Sequence, residues 1–145
     1  MQKILVTGGL GYIGSHTVVE LQNTGFEVVI IDDLSNSSKE VLSRITSITG
    51  IKPDFEEIDL KNKEAVQQFF KNYSIDGVIH FAASKAVGES VDEPLKYYEN
   101  NIATLTYVLK EMVANHVYNF IFSSSCTVYG QADELPITEN APTKP

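Results

Sequence analysis

The stretch VTGGLGYIGSH, from Val6 to His16, decides the fold, because it joins an apolar β-branched run to an amphipathic helical pattern through closely spaced glycines. Gly8, Gly11 and Gly14 follow G-x-x-G-x-x-G spacing. Such glycines let the backbone turn tightly and approach a pyrophosphate, and the following helix offers unpaired N–H groups at the positive end of its dipole. The spacing alone also fits a tight turn without a ligand. Its place between a strand and a helix predicts a dinucleotide-binding loop.

Short β-branched runs alternate with helical patterns along the rest of the chain. The predicted strands are Ile4–Thr7, Val28–Ile31, about Asp54–Ile58, Gly77–Ala83 and Asn119–Ser124. Helices are predicted from Tyr12 to Asn23 with a glycine cap at Gly25, around Val41–Ile48 and Val66–Tyr73, and from near Pro94 to Met112. Strand–helix repetition at this spacing implies right-handed crossovers and a parallel sheet covered on both faces. We therefore expect an α/β fold, a Rossmann-type doubly wound parallel sheet truncated after about the fifth strand.

An acidic residue is expected about 20 residues after the glycine loop, where it accepts hydrogen bonds from the adenosine ribose. Asp32 ends the second predicted strand, with Asp33 beside it. A carboxylate there repels a 2′-phosphate, so the pattern favours NAD over NADP. The alternative is an ordinary turn residue, which is our interpretation of Asp33.

Composition excludes several classes of partner. The 145 residues carry a net charge of −8, which argues against nucleic acid and anionic membranes. The single cysteine, Cys126, excludes an internal disulfide framework, and the three histidines show no metal-ligand spacing. No apolar run reaches the ~20 residues of a membrane span. The sequence predicts a cytoplasmic protein without a metal site.

Longer motifs carry a family resemblance. They are VTGGLGYIGSHTVVEL, DDLSNS, VIHFAASKAVGES, YYENN and NFIFSSSCTVYG, and they span almost the whole chain. In order and spacing they resemble the N-terminal part of the extended short-chain dehydrogenase/reductases and, within them, the UDP-glucose 4-epimerase family. That family usually has Gly-Leu where this chain has Ala83-Ser84, and Ala where it has Cys126. Both changes are small in side-chain volume and leave Lys85 and Ser125 in place.

The resemblance implies inversion at C4 of a UDP-linked hexose through a 4-keto intermediate, with bound NAD, in a homodimer of galactose metabolism. By this match Ser125 hydrogen-bonds the sugar 4-oxygen and assists proton transfer, Thr127 orients the substrate, and Lys85 contacts cofactor or sugar. The match assigns cofactor contacts to Gly8, Gly11, Tyr12, Ile13, Gly14, Asp32, Asp33, Leu34, Ser35, Asn36, Ser37, Asp59, Leu60, Phe81, Ala82, Ala83, Ser84, Lys85 and Asn100.

Each assignment has a structural alternative. Ser125 could be a turn serine bonded to its own backbone, Lys85 a solvated surface lysine, and Thr127 and Asn100 structural residues. Cys126 has no identified base and is interpreted as a packing residue.

The family's catalytic Tyr-x-x-x-Lys pair is expected shortly after the serines, but Tyr129 is followed four residues later by Asp133. We therefore expect residues 1–145 to be an incomplete N-terminal NAD-binding domain, with the rest of that domain and a C-terminal substrate domain absent. The chain alone is expected to be inactive. The competing functions are a nucleotide-sugar 4,6-dehydratase or decarboxylase, and an NAD-binding module without catalysis. The choice between UDP-glucose and its N-acetylated form stays open.

Overall fold

The computed structural model describes residues 1–131 and 134–144. Its five strands are β1 (Lys3–Thr7), β2 (Glu27–Asp32), β3 (Asp54–Glu57), β4 (Gly77–His80) and β5 (Asn119–Phe122). They form one parallel sheet in the order β3-β2-β1-β4-β5. The chain leaves β1 in one direction toward β2 and β3, and later returns to the other side of β1 with β4. This order is that of a doubly wound Rossmann-type sheet, and the fold prediction is confirmed.

Six α-helices connect and follow these strands in the described residues. They are α1 (Tyr12–Asn23), α2 (Glu40–Thr49), α3 (Lys63–Asn72), α4 (Val87–Asp92), α5 (Pro94–Tyr98) and α6 (Thr104–Ala114). A π-helical turn, Glu99–Ala103, joins α5 to α6, and a 3₁₀ turn, Cys126–Tyr129, follows β5. The sequence predicted α1 with its observed bounds. The helix predicted from Pro94 instead contains the π turn, and α4 was not predicted.

Alternate residues of the central strands divide the core into two layers. Val6, Val28 and Ile30 pack on one face of the sheet with Val18 of α1 and Ile45 of α2. The intervening strand residues Leu5, Val29 and Ile31 point to the other face. There they pack with Val66 and Phe69 of α3 and with Val108 and Met112 of α6. Strands covered on both faces are expected to be continuously apolar, as β2 is. The helices thus cover the two faces of the sheet, and the loops that follow the strands lie at its carboxyl edge.

Candidate functional site

The main cleft lies at the carboxyl edge of the sheet, where the loops after β1, β2, β3 and β4 meet. It measures about 590 Å³, within the range of small-molecule sites. Strand order reverses between β1 and β4, and open α/β sheets bind ligands at such a switch point. Of the predicted cofactor residues, those that line this cleft are Gly8, Gly11, Asp32, Asp33, Ser35, Asn36, Ser37, Asp59, Leu60, Phe81, Ala82, Ala83, Ser84, Lys85 and Asn100.

Neighbouring backbone atoms leave no room for a side chain at two positions of the glycine loop. Gly8 has φ +66°, and a Cβ there would lie 2.8 Å from the Ala82 backbone nitrogen. A Cβ on Gly14 would lie 2.2 Å from the Gly8 carbonyl oxygen, so this glycine brings α1 against the loop. Gly11 precedes the first turn of α1, where Tyr12 and Ile13 contribute N–H groups that a helix leaves without intrahelical partners. The loop can therefore offer backbone donors to an anion.

Asp32 ties the loops of β1 and β2 together while facing the cleft. Its Oδ2 accepts the Leu10 N–H at 3.0 Å, and its Oδ1 accepts the Leu34 N–H at 3.0 Å and the Ser37 hydroxyl at 2.7 Å. Asp32 is 8% exposed. An ionised carboxylate has about four acceptor sites, so these three bonds leave capacity for a hydroxyl from a ligand. The carboxylate thus has both a structural use and the capacity to accept a further donor.

The remaining predicted residues on this side form short local turns. Oδ1 of Asp33 accepts the Ser35 N–H at 3.0 Å and the Ser35 hydroxyl at 2.6 Å, as a turn residue would. Asp59 accepts the Lys61 N–H at 2.9 Å. Leu34, with φ +61°, is not among the residues that line the cleft. Together these turns shape the wall next to Asp32.

The segment after β4 forms the opposite wall of the cleft. The Phe81 N–H donates to the Thr7 carbonyl at 3.0 Å, which continues the pairing of β4 with β1. Beneath it, Nδ1 of buried His80 lies 2.8 Å from the Thr7 hydroxyl, which also accepts the Ala82 N–H at 3.4 Å. Burial lowers the pKa of His80 to about 4, so the imidazole is neutral. These contacts hold the wall close to the glycine loop.

The helices after this wall add a cluster that the sequence did not single out as a site. Lys96 Nζ lies 2.5 Å from Glu89 Oε1, and the Tyr97 hydroxyl lies 2.7 Å from Glu89 Oε2 and 2.9 Å from the Ala86 carbonyl. Hydrogen bonds from Lys96 and Tyr97 lower the pKa of Glu89. The three charged or phenolic side chains line the cleft near Lys85. Two motifs of the family resemblance reach this region: VIHFAASKAVGES contains Glu89, and YYENN begins at Tyr97.

Ser125 and Thr127 are not brought into the lining of the cleft. Ser125 precedes the 3₁₀ turn and is exposed, and its Oγ accepts the Thr127 N–H at 3.3 Å and the Thr127 hydroxyl at 2.9 Å. The bond to the Thr127 N–H matches the turn-serine alternative. In both contacts Ser125 is the acceptor, so its own hydroxyl proton remains available for donation. Asp133, which occupies the fourth position after Tyr129, lies outside the described residues.

Across residues 1–131 and 134–144, no group of three or more His, Cys, Asp or Glu side chains is placed to hold a metal ion. In the same part of the chain, every helix is too short or too polar to cross a membrane.

Comparison with family models finds one match over almost the whole chain. Residues 4–145 match the NAD dependent epimerase/dehydratase family. The UDP-glucose 4-epimerase of Bacillus subtilis is 56% identical over 140 residues, which cover 96% of this chain and 41% of that protein. The UDP-glucose 4-epimerase of Dictyostelium discoideum is 51% identical, over 97% of this chain and 41% of that protein. The chain therefore spans about two fifths of the length of these relatives.

Solved structures show the same fold. The UDP-glucose 4-epimerase from Bifidobacterium longum, in complex with NAD+ and UDP, superposes with a TM-score of 0.90 at 45% identity, over 99% of this chain and 43% of that one. The UDP-glucose 4-epimerase from Stenotrophomonas maltophila, with bound NAD and formylated UDP-arabinopyranose, superposes with a TM-score of 0.89 at 45% identity, over 99% of this chain and 43% of that one.

Proposed function

Because the chain belongs to the NAD dependent epimerase/dehydratase family, we propose that it is the N-terminal, NAD-binding part of a UDP-glucose 4-epimerase. The observation that carries this proposal is the cleft at the switch point, which joins Asp32 on one side of the Gly8 turn to Lys85 and Asn100 on the other. The relatives named above supply the reaction class. The rest of the dinucleotide-binding domain and a substrate domain would belong to the remaining three fifths of such a protein.

The residues of the cleft fit NAD. Gly8 and Gly14 leave no room for a Cβ, as a loop that approaches a pyrophosphate requires. Asp32 retains acceptor capacity for the ribose hydroxyls, and its charge would oppose a 2′-phosphate. Bound NAD would accept the hydride from C4 of the sugar and return it to the other face.

The chain's own residues would hold the sugar and move its proton. Lys85 would contact the nicotinamide-side ribose or the sugar, and Ser125 would donate a hydrogen bond to the 4-oxygen while a base removes the 4-hydroxyl proton. Thr127 supports Ser125 by donating to its Oγ at 2.9 Å. Since Ser125 is outside the cleft lining, it would act only when the remaining part of the protein covers this edge. The Tyr-x-x-x-Lys pair expected there would supply the base.

The test is an assay of the full-length protein with UDP-galactose as substrate and UDP-glucose as the measured product. Ser125→Ala is expected to lower kcat by ~10²–10⁴-fold while NAD affinity stays within about twofold, since a proton-transfer hydroxyl contributes to the chemical step. A full-length protein without turnover would contradict the proposal. Wild-type turnover in Ser125→Ala would make this serine structural.

A second candidate is an NAD-binding module without catalysis. One observation favours it for the isolated chain: residues 1–145 contain no Tyr-x-x-x-Lys pair after Ser125. Sequencing the transcript beyond Pro145 separates the two, because the enzyme requires such a pair. The relatives named above are all UDP-glucose 4-epimerases, which favours an epimerase over a dehydratase or decarboxylase.

We propose further that the full-length protein is a cytoplasmic homodimer of galactose metabolism. An apolar stripe supports self-association: Val91, Leu95, Tyr98 and Ile102 are 76%, 80%, 64% and 54% exposed along α4, α5 and the π turn. Large apolar side chains that are exposed at such short intervals are typical of an interface. Light scattering on the full-length protein tests the dimer, and cell fractionation tests the location.

A further inference from the structure

The side chain of Asn101 pairs with the backbone of a residue 17 positions earlier. Its Oδ1 accepts the Ser84 N–H at 2.8 Å, and its Nδ2 donates to the Ser84 carbonyl at 2.9 Å. Both main-chain groups of one residue are thus satisfied by one amide, as a neighbouring strand would satisfy them. Because β4 ends at His80, Ser84 lies beyond the strand pairing of the sheet.

Neighbouring contacts fix the orientation of this amide. Asn100 Nδ2 donates to Ser84 Oγ at 3.0 Å and to Asn101 Oδ1 at 3.3 Å. The hydroxyl of Thr104, the first residue of α6, donates to the carbonyl of Asn100 in the π turn. Such turns occur frequently at functional sites. The π turn therefore presents two adjacent asparagines to one residue of the cleft wall.

The residue held in this way lies in the wall opposite Asp32. Ala83, Ser84 and Lys85 all line the cleft, whereas Asn101 is not among the lining residues. Asp32 marks the adenosine end, and β4 is on the other side of β1 from β2. A dinucleotide that spans the switch point would thus place its nicotinamide half against the Ser84 segment. Whatever fixes Ser84 also fixes the backbone from which Lys85 projects.

We propose that Asn101 is a positioning residue for the nicotinamide half of the cofactor site, acting through the Ser84 backbone without touching the ligand. This inference rests on the proposed function, because it presupposes that the cleft binds NAD. It assigns to Asn101 a role different from that of Asn100, which lines the cleft itself.

The test uses three variants of the full-length protein. Asn101→Ala removes both bonds, and the apparent Kd for NAD is expected to rise by roughly tenfold, since each hydrogen bond contributes a factor of about three to ten. Asn101→Asp keeps an acceptor for the Ser84 N–H but places a carboxylate oxygen against the Ser84 carbonyl, so the loss is expected to be at least as large. Asn115→Ala is the matched control, since it removes a hydrogen bond from a side-chain amide to a backbone carbonyl at the far end of α6. The Kd of Asn115→Ala for NAD is expected to stay within about twofold of the wild-type value.

Hydrogen exchange of the Ser84 amide provides a readout that does not depend on cofactor. The wild type is expected to protect this amide, Asn101→Ala to speed its exchange by roughly tenfold or more, and Asn115→Ala to leave it unchanged. An unprotected wild-type Ser84 amide would overturn the inference, even if no variant folds. So would an Asn101→Ala protein that exposes this amide yet binds NAD with wild-type affinity. A wild type that protects Ser84 but does not bind NAD would instead overturn the proposed function.

Discussion

At the scale of single residues, Gly14 leaves no room for a side chain. A Cβ at this position would lie 2.2 Å from the Gly8 carbonyl oxygen and 2.8 Å from Gly9 Cα, both of which are backbone atoms. Because backbone cannot rotate away as a side chain can, we expect Gly14→Ala to lower the free energy of unfolding by about 2–3 kcal/mol. Urea denaturation followed by circular dichroism measures this loss.

Gly88 in α4 provides the matched control, since a Cβ there meets nothing within 4 Å. Gly88→Ala is expected to raise stability by about 0.5–1 kcal/mol, because alanine loses less backbone entropy in a helix. Equal losses for both variants would contradict the packing explanation of the glycine loop.

His80 gives the molecule a pH dependence of its own. It is 2% exposed, and burial lowers its pKa from 6.5 to about 4. A group whose folded pKa is below its unfolded pKa binds its proton more readily when unfolded. Neutral His80 therefore makes its full contribution to the free energy of unfolding above pH 6.5, and this contribution is lost as the pH falls from 6.5 toward 4. The loss is expected to reach about 3 kcal/mol of unfolding free energy.

Denaturation curves between pH 4 and 7 measure this effect. Carboxylates also titrate near the lower end of the range, so the same series on His80→Asn isolates the histidine. The variant is expected to be less stable at pH 7 but to lose less on acidification. Identical slopes for the two proteins between pH 6.5 and 4 would show that His80 is not responsible.

At the scale of elements, β5 is the exposed element of the sheet. Within the described residues it pairs only with β4, and Ile121 and Phe122 are 61% and 51% exposed. An apolar edge with unpaired N–H and C=O groups is a template for another strand. We expect the 145-residue chain, expressed alone, to self-associate and to have no epimerase activity.

Light scattering at increasing protein concentration tests this expectation. Ile121→Lys places a charge on the edge and is expected to reduce association. Ile48→Lys on α2 is the control, because Ile48 is 67% exposed but belongs to a helix. A chain that stays monomeric and epimerises UDP-galactose would refute the claim that the sheet is incomplete.

Elements with a strong periodic signal were predictable, and the others were not. The bounds of α1 follow from the glycines at both ends: Gly25, with φ +89°, closes the helix through the Phe26 N–H to Leu21 carbonyl bond of 3.0 Å. By contrast, α4 has six residues and none is buried, so it leaves no apolar face to detect. The π turn departs from the 3.6-residue period, and an uninterrupted helix was therefore predicted there.

At the scale of the whole molecule, the sequence predicted which loops meet but not how they are held together. The lining of the cleft by Asp32, Asp59 and Lys85 follows from their positions after parallel strands. The pairing of Asn101 with Ser84 joins residues 17 apart through a side chain and a backbone, and neither periodicity nor a motif encodes it. Ser125 lies outside the cleft lining, and in the proposed protein the residues that cover it would belong to the part beyond this chain.

The central claim, an NAD site at the switch point of the sheet, is tested most directly by calorimetric titration of the full-length protein with NAD and with NADP. The Asp32 carboxylate opposes a 2′-phosphate, so NAD is expected to bind at least about tenfold more tightly than NADP, which corresponds to one close like-charge contact of about 1.4 kcal/mol. Equal affinities, or a preference for NADP, would contradict the account.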